Sequence, residues 1–206
     1  MQVLHRRYLT LFAVAFTIAI PHIHFELPIQ IELSNELFGI AFKWLWTLTL
    51  ALIVFRIERR PREFLQLRGF RLGGLVEAVI NLSAALLLMV PLLRMVENTT
   101  PDNGDAEPAA LWIRLAGAIT AGVCEEFMFR GFLIEEVGEW MRSRKMAAVI
   151  AAVAFAAGHW NQGWIAAFIG PGIIGAALTI VYFRQKSLPL CMILHSALDV
   201  CYELLH

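Results

Sequence analysis

Residues 111–137 read LWIRLAGAITAGVCEEFMFRGFLIEEV. The stretch is long enough to cross a hydrocarbon core, which takes roughly 20 predominantly apolar residues. Yet it carries Arg114, Glu125, Glu126 and Arg130. On insertion scales an Arg or Asp at the centre of a spanning helix costs about 2.5–3.5 kcal/mol. Such a helix must turn its charged face toward other helices rather than lipid. Ala116, Gly117, Ala121 and Gly122 precede the acidic pair, and small residues let helix backbones approach closely. The stretch therefore predicts an all-α, polytopic membrane helix bundle.

The remaining composition agrees. Hydrophobic residues make up 59% of 206 and the mean hydropathy is +0.66, against roughly 45–50% apolar in soluble domains. A short chain this apolar cannot hide its surface in a water-soluble core. Seventeen Lys and Arg balance seventeen Asp and Glu, which removes the basic footprint of a nucleic-acid binder. Three cysteines, all in apolar stretches, do not make a disulfide scaffold. There is no Gly-rich phosphate loop, no CxxC and no HExxH. About seven spans are predicted, near Tyr8–His24, Leu37–Phe55, Leu75–Leu93, Leu111–Val137, Met146–Trp160, Trp164–Phe183 and Leu188–Leu205. The first follows His5-Arg6-Arg7 but ends in Ile20-Pro21-His22 without a small-x-small cleavage site, so it reads as a retained helix. Lys43 lies inside the second, Glu77 near the start of the third, and Gly170-Pro171-Gly172 should kink the sixth. The turn-rich residues 98–108 separate a three-helix part (1–97) from a four-helix part (111–206) of one membrane domain, 1–206.

Loop charges alternate. Arg6 and Arg7, then Arg56, Arg59, Arg60, Arg62, Arg68 and Arg71, then Arg142, Arg144 and Lys145, then Arg184 and Lys186 fall on one side. Glu26, Glu32 and Glu36, and Glu97, Asp102, Asp105 and Glu107, fall on the other. The positive-inside rule makes the basic side cytoplasmic, with the N-terminus inside and the C-terminus outside. The pattern suits an inner (plasma) membrane of a bacterium or archaeon. Stretch 56–74 alternates Phe64, Leu65, Leu67, Phe70 and Leu72 with arginines. It suits either a segment lying on the inner leaflet or a solvated loop.

Ionisable groups at chemically suggestive spacings recur inside the spans of the C-terminal half: Glu125, Glu126 and Arg130 in the fourth helix, His159 at the end of the fifth, His195 and Asp199 in the seventh. Glu126 and Arg130 are i,i+4 with the acid first, the favourable order for a helical ion pair. Glu125 lies about 100° further round the helix, so one carboxylate is neutralised and the other stays free. A free carboxylate in low dielectric beside a like charge is a good proton acceptor for general-base work. His195 and Asp199 share a helix face, and so do Phe155 and His159. Each feature alone also fits a structural role: a histidine bonded to a carbonyl, a helix-fixing ion pair, a helix-stabilising hydrogen bond. Such groups recurring on three helices of one half favour a shared site.

These residues resemble a known family. Glu125-Glu126-Phe127-Met128-Phe129-Arg130 resembles the EExxxR motif of the CPBP family (CAAX proteases and bacteriocin-processing enzymes, also called Abi). Phe155 to His159 resembles its FxxxH motif, and His195 to Asp199 its HxxxN or HxxxD motif. The resemblance covers about residues 111–201 and implies an intramembrane endopeptidase of the glutamate type, with no cofactor and no bound metal. It implies that Glu125 and His159 activate a water, that Glu126 and Arg130 form a structural pair, and that His195 and residue 199 stabilise the oxyanion. An ionised Asp199 accepts but cannot donate a hydrogen bond, so its expected role is to orient His195 and keep it charged, or else Asp199 is itself protonated in the apolar site.

The expected partners are membrane lipid and a membrane-anchored protein or peptide substrate, with no nucleic acid. The substrate could be a prenylated C-terminus, a leader peptide or an anchored sorting segment. A prokaryotic membrane favours a peptide or anchor segment. Two alternatives stand beside this reading. Glu125, His159, His195 and Asp199 could ligate zinc in a metal-dependent intramembrane protease. The chain could instead be a non-catalytic bacteriocin-immunity or scaffold protein.

The topology has a direct check. In a variant whose native cysteines are replaced by serine, Gly104→Cys should react with a membrane-impermeant maleimide in sealed cells. Gly69→Cys should react only after permeabilisation; the reverse pattern would invert the orientation.

Overall fold

The computed structural model describes residues 10–17, 32–97, 109–159 and 163–205, and the regular structure among them is helical throughout. Residues 10–17 are helical (α1) and bury Thr10, Ala13, Val14 and Thr17, the i, i+3, i+4, i+7 face of an amphipathic helix. The rest of the expected first span, the 98–108 loop, and His5, His22, His24 and His206 lie outside the described residues. α2 runs Glu32–Leu52 and widens into a π turn, Ile53–Ile57. It meets α1 through Trp46, whose indole donates to Thr17 Oγ1 at 3.2 Å and packs edge-on against Phe16.

The basic stretch that follows is anchored rather than loose. A 3-10 turn, Arg62–Leu65, buries Leu65 completely. Gln66 then takes a left-handed conformation, φ 52°. Its carbonyl accepts from Leu188 N at 3.0 Å, and the Arg68 carbonyl accepts from Ser187 Oγ at 2.7 Å. Arg56, Arg59, Arg62, Arg68 and Arg71 stay exposed. α3 spans Leu72–Glu97, starting earlier and ending later than its hydropathy suggests. Its Glu77 accepts from Arg184 at 2.6 Å and from Gln185 at 2.8 Å, which pins it to α7.

The C-terminal half begins with α4, Leu111–Glu126. It passes without a break through a π-helical segment, Phe127–Leu133, into α5, Ile134–Met141. All seven residues of the π segment are buried. α6, Arg144–Ala157, is capped by Ser143, whose side chain accepts from Met146 N. It presents Ala147, Ala151 and Ala154 to its neighbours. α7, Trp164–Gln185, is one unbroken helix with Pro171 inside it, so the Gly-Pro-Gly motif does not split it. α8 is Leu188–Leu205.

Among the described residues, four segments are long and apolar enough to cross a membrane: Glu36–Ile57, Leu72–Met95, Trp164–Gln185 and Leu188–Leu205. The protein is accordingly a multi-pass membrane protein. The expected fourth span is realised as α4, the π segment and α5, with its charges turned inward. The expected fifth is the 14-residue α6, which ends before His159.

α4 and α8 approach closely at Gly122 and Ser196. A Cβ at Gly122 would lie 2.2 Å from Ser196 Oγ, 2.4 Å from Ser196 N and 2.6 Å from Ser196 Cα. Two of those atoms are backbone, so no rotamer change relieves the clash. Gly122→Ala should therefore cost at least the ~1–3 kcal/mol typical of overpacking. Gly117→Ala, where nothing lies within 4 Å, should be neutral or slightly stabilising because Ala is the better helix former. Thermal unfolding of the two variants in detergent checks the contrast.

Candidate active site

The Gly122–Ser196 contact decides what happens one turn further on. There α4 presents Glu126 to His195 of α8. Glu126 Oε1 accepts from Arg130 Nη1 at 2.7 Å and from His195 Nδ1 at 2.8 Å. An arginine can only donate, so this oxygen carries no proton and Nδ1 must be the donor. Glu126 is fully buried, Arg130 is 1% exposed and His195 is buried. Arg130 Nη2 also donates to the Gly175 carbonyl at 2.8 Å, and its guanidinium lies 4.6 Å from the centre of the Phe155 ring. A Cβ at Gly175 would come within 2.9 Å of Phe155 Cδ1 and 3.1 Å of Arg130 Nη2, so glycine makes room for both. One carboxylate and one guanidinium thus connect α4, the π segment, α6, α7 and α8. The wide turn of the π segment is where Arg130 departs from the α-helical path; π bulges recur at functional sites.

Glu125 points away from this network. The expectation that it stays free is corrected: its Oε1 accepts from Lys43 Nζ at 2.6 Å. Lys43 comes from α2, in the N-terminal part of the chain. One residue along, Trp44 Nε1 donates to Thr120 Oγ1 at 3.0 Å and holds α2 on α4. No spacing rule links residues 82 apart in sequence. The available signal was a single lysine inside an apolar span, the kind of residue that marks a functional partner. The Glu125 side chain is 12% exposed and that of Lys43 is 40% exposed, so the carboxylate is the more sheltered of the two.

His159 sits in the turn after α6, its amide bonded to the Ala156 carbonyl at 3.0 Å. Its Nδ1 donates to the Phe155 carbonyl at 2.8 Å. A carbonyl only accepts, so Nδ1 carries a proton, and in the neutral tautomer that fits this bond the acceptor is Nε2. The Phe155 ring stands 4.9 Å from His159 and 6.0 Å from His195, between the two imidazoles. Asp199 Oδ2 is 3.5 Å from His195 Nε2, too long for a good hydrogen bond. The group that orients His195 is therefore Glu126 rather than the expected Asp199. The cause is tertiary: the i,i+4 neighbour on the same helix competes with a closer carboxylate across the α4–α8 contact. Glu125 lies within electrostatic reach of Lys43, His195 and His159, and Asp199 within reach of His195, Glu125, Lys43 and His159. All six residues singled out in the sequence thus fall into two adjoining clusters joined by His195. Among the described residues no group of three His, Cys, Asp or Glu is set to hold a metal ion, and His195 has one of its two nitrogens committed to Glu126.

Breaking a buried ion pair by removing one partner costs about 3–5 kcal/mol. Arg130→Met should destabilise the protein by that order, because it strands the Glu126 carboxylate. The double variant Glu126→Gln/Arg130→Met should recover much of the loss. Unfolding in detergent across the double-mutant cycle measures both.

A family model described as Type II CAAX prenyl endopeptidase Rce1-like matches residues 107–201. These residues include every member of the Glu126–Arg130–His195 network and also Glu125, His159 and Asp199. No curated protein and no solved structure matches the chain. The matched residues, just under half of the chain, are thus similar to the CAAX prenyl endopeptidase family, and that likeness supports a membrane peptidase acting on a peptide or protein substrate.

Proposed function

We propose that the protein is a glutamate-type intramembrane endopeptidase in which Glu125 and His159 activate the attacking water. The observation that carries this reading is the pair of proton acceptors. Glu125 keeps Oε2 available while Lys43 holds Oε1, and His159 presents a bare Nε2 because Nδ1 is spent on the Phe155 carbonyl. A water between them loses a proton to the carboxylate as its oxygen attacks the scissile carbonyl carbon. The negative charge that develops on the carbonyl oxygen is met by His195 Nε2–H. To donate there while Nδ1–H stays bonded to Glu126, His195 must be an imidazolium. The carboxylates of Glu126 and Asp199, at 2.8 and 3.5 Å, favour that charge. Collapse of the tetrahedral intermediate breaks the C–N bond, and the proton first taken from water passes to the leaving amine. Glu126 and Arg130 act by fixing His195, without touching substrate. Pre-aimed donors in a sheltered site are the largest source of such rate enhancement.

The substrate in this reading is a membrane-anchored protein or peptide, cut near its anchor. The enzyme lies in the inner (plasma) membrane with its N-terminus cytoplasmic and C-terminus outside. The one membrane domain, 1–206, is held together by α2 on α4 and α3 on α7.

Glu125→Gln keeps the side-chain shape and removes the base. In detergent or liposomes it should lower cleavage by about 10²–10⁴-fold, the usual worth of general acid–base catalysis. An anchored precursor should accumulate in cells carrying only that variant, while wild-type activity survives a strong chelator. Unchanged processing by Glu125→Gln would assign Glu125 a structural role and favour an immunity or scaffold function. Loss of wild-type activity on chelation, restored by zinc, would favour the metal-dependent alternative.

A further inference from the structure

We propose that Lys43 is a positioning residue for the peptidase reaction: from α2 it holds the Glu125 carboxylate ionised and aimed, so that the N-terminal helices complete the active site. The inference rests on the glutamate-peptidase reading above. Lys43 Nζ is 2.6 Å from Glu125 Oε1, and it is the only basic residue in α2. It lies outside the family match at 107–201, so the assignment comes from this chain's own packing.

Three observations point the same way. First, burial in an apolar bundle disfavours a charged carboxylate, and a protonated Glu125 cannot accept a proton from water. The ammonium contacts the carboxylate directly and offsets that penalty. Second, the contact engages a single oxygen and leaves the other for the water. Third, the pair is held from outside itself. Trp44, next to Lys43, is bonded to Thr120 of α4 at 3.0 Å, so the distance between the two helices does not rest on the ion pair. The charged groups facing Glu125 from the surrounding elements are Lys43 on α2, His159 after α6, and His195 and Asp199 on α8. Of these, Lys43 is the one in direct contact with the carboxylate.

The test compares wild type, Glu125→Gln, Lys43→Met, Lys43→Gln and Lys43→Arg on one anchored peptide substrate in liposomes. The expected result is a kcat at least 10-fold lower for Lys43→Met and Lys43→Gln, with KM within about threefold of wild type. Lys43→Arg, which restores the cation, should recover most of the rate. A merely structural lysine would not produce that split or that rescue. Melting of each variant in detergent controls for folding. If Lys43→Met does not fold, Lys43→Gln, which keeps a hydrogen-bonding head, carries the comparison with Lys43→Arg. Wild-type kcat in a folded Lys43→Met or Lys43→Gln, with Glu125→Gln inactive, overturns the inference and leaves the peptidase reading intact. A faster Lys43→Met also overturns it, since the ion pair would then be restraining Glu125. An active Glu125→Gln overturns the peptidase reading, and the role of Lys43 falls with it.

Discussion

The backbone contact between α4 and α8 at Gly122 and Ser196 is the constraint on which the rest depends. With a Cβ at position 122 the two helices must separate, because two of the three nearest atoms on the far side are backbone. Separation would take Glu126 away from His195, one turn along. The Glu126 carboxylate would then have only Arg130 to compensate its burial. Close approach at a glycine and pairing of charges one turn away are therefore two parts of a single arrangement. Glycine at 175 plays the matching part on α7, where it admits both the Arg130 guanidinium and the Phe155 ring.

Charge in an apolar bundle explains the different surroundings of the two adjacent glutamates. Neighbours on a helix diverge by about 100°, so they meet different partners. Glu126 faces α8 and takes two donors, from Arg130 and His195, on its Oε1. Glu125 faces α2 and is met there by Lys43. His195 connects them, with Nδ1 committed to the first network and Nε2 directed toward the second.

Several departures from expectation have the same physical origin. Glu125 is paired rather than free, and Glu126 rather than Asp199 orients His195. In both cases the expectation used partners near in sequence, and a partner on another helix came closer. The π segment at Phe127–Leu133 belongs with these. Hydropathy predicts a continuous apolar span there and contains nothing that distinguishes one helical winding from another. The anchoring of the basic stretch is similar, since Gln66 and Arg68 are bonded through their backbones to the turn between α7 and α8.

The amino-acid sequence by itself determined the all-helical membrane class, the approximate placement of its helices and the six ionisable residues that gather in the C-terminal half. Those follow from apolar run length and from the cost of burying charge, both local properties of the chain. The i,i+4 pairing of Glu126 with Arg130 follows equally from helix geometry. Only the tertiary structure decided which residues those charges face. That choice depends on how near two helices can come, which a glycine on one and a serine on the other settle together. It brought Lys43, 82 residues away in the chain, onto Glu125, a contact that no periodicity encodes.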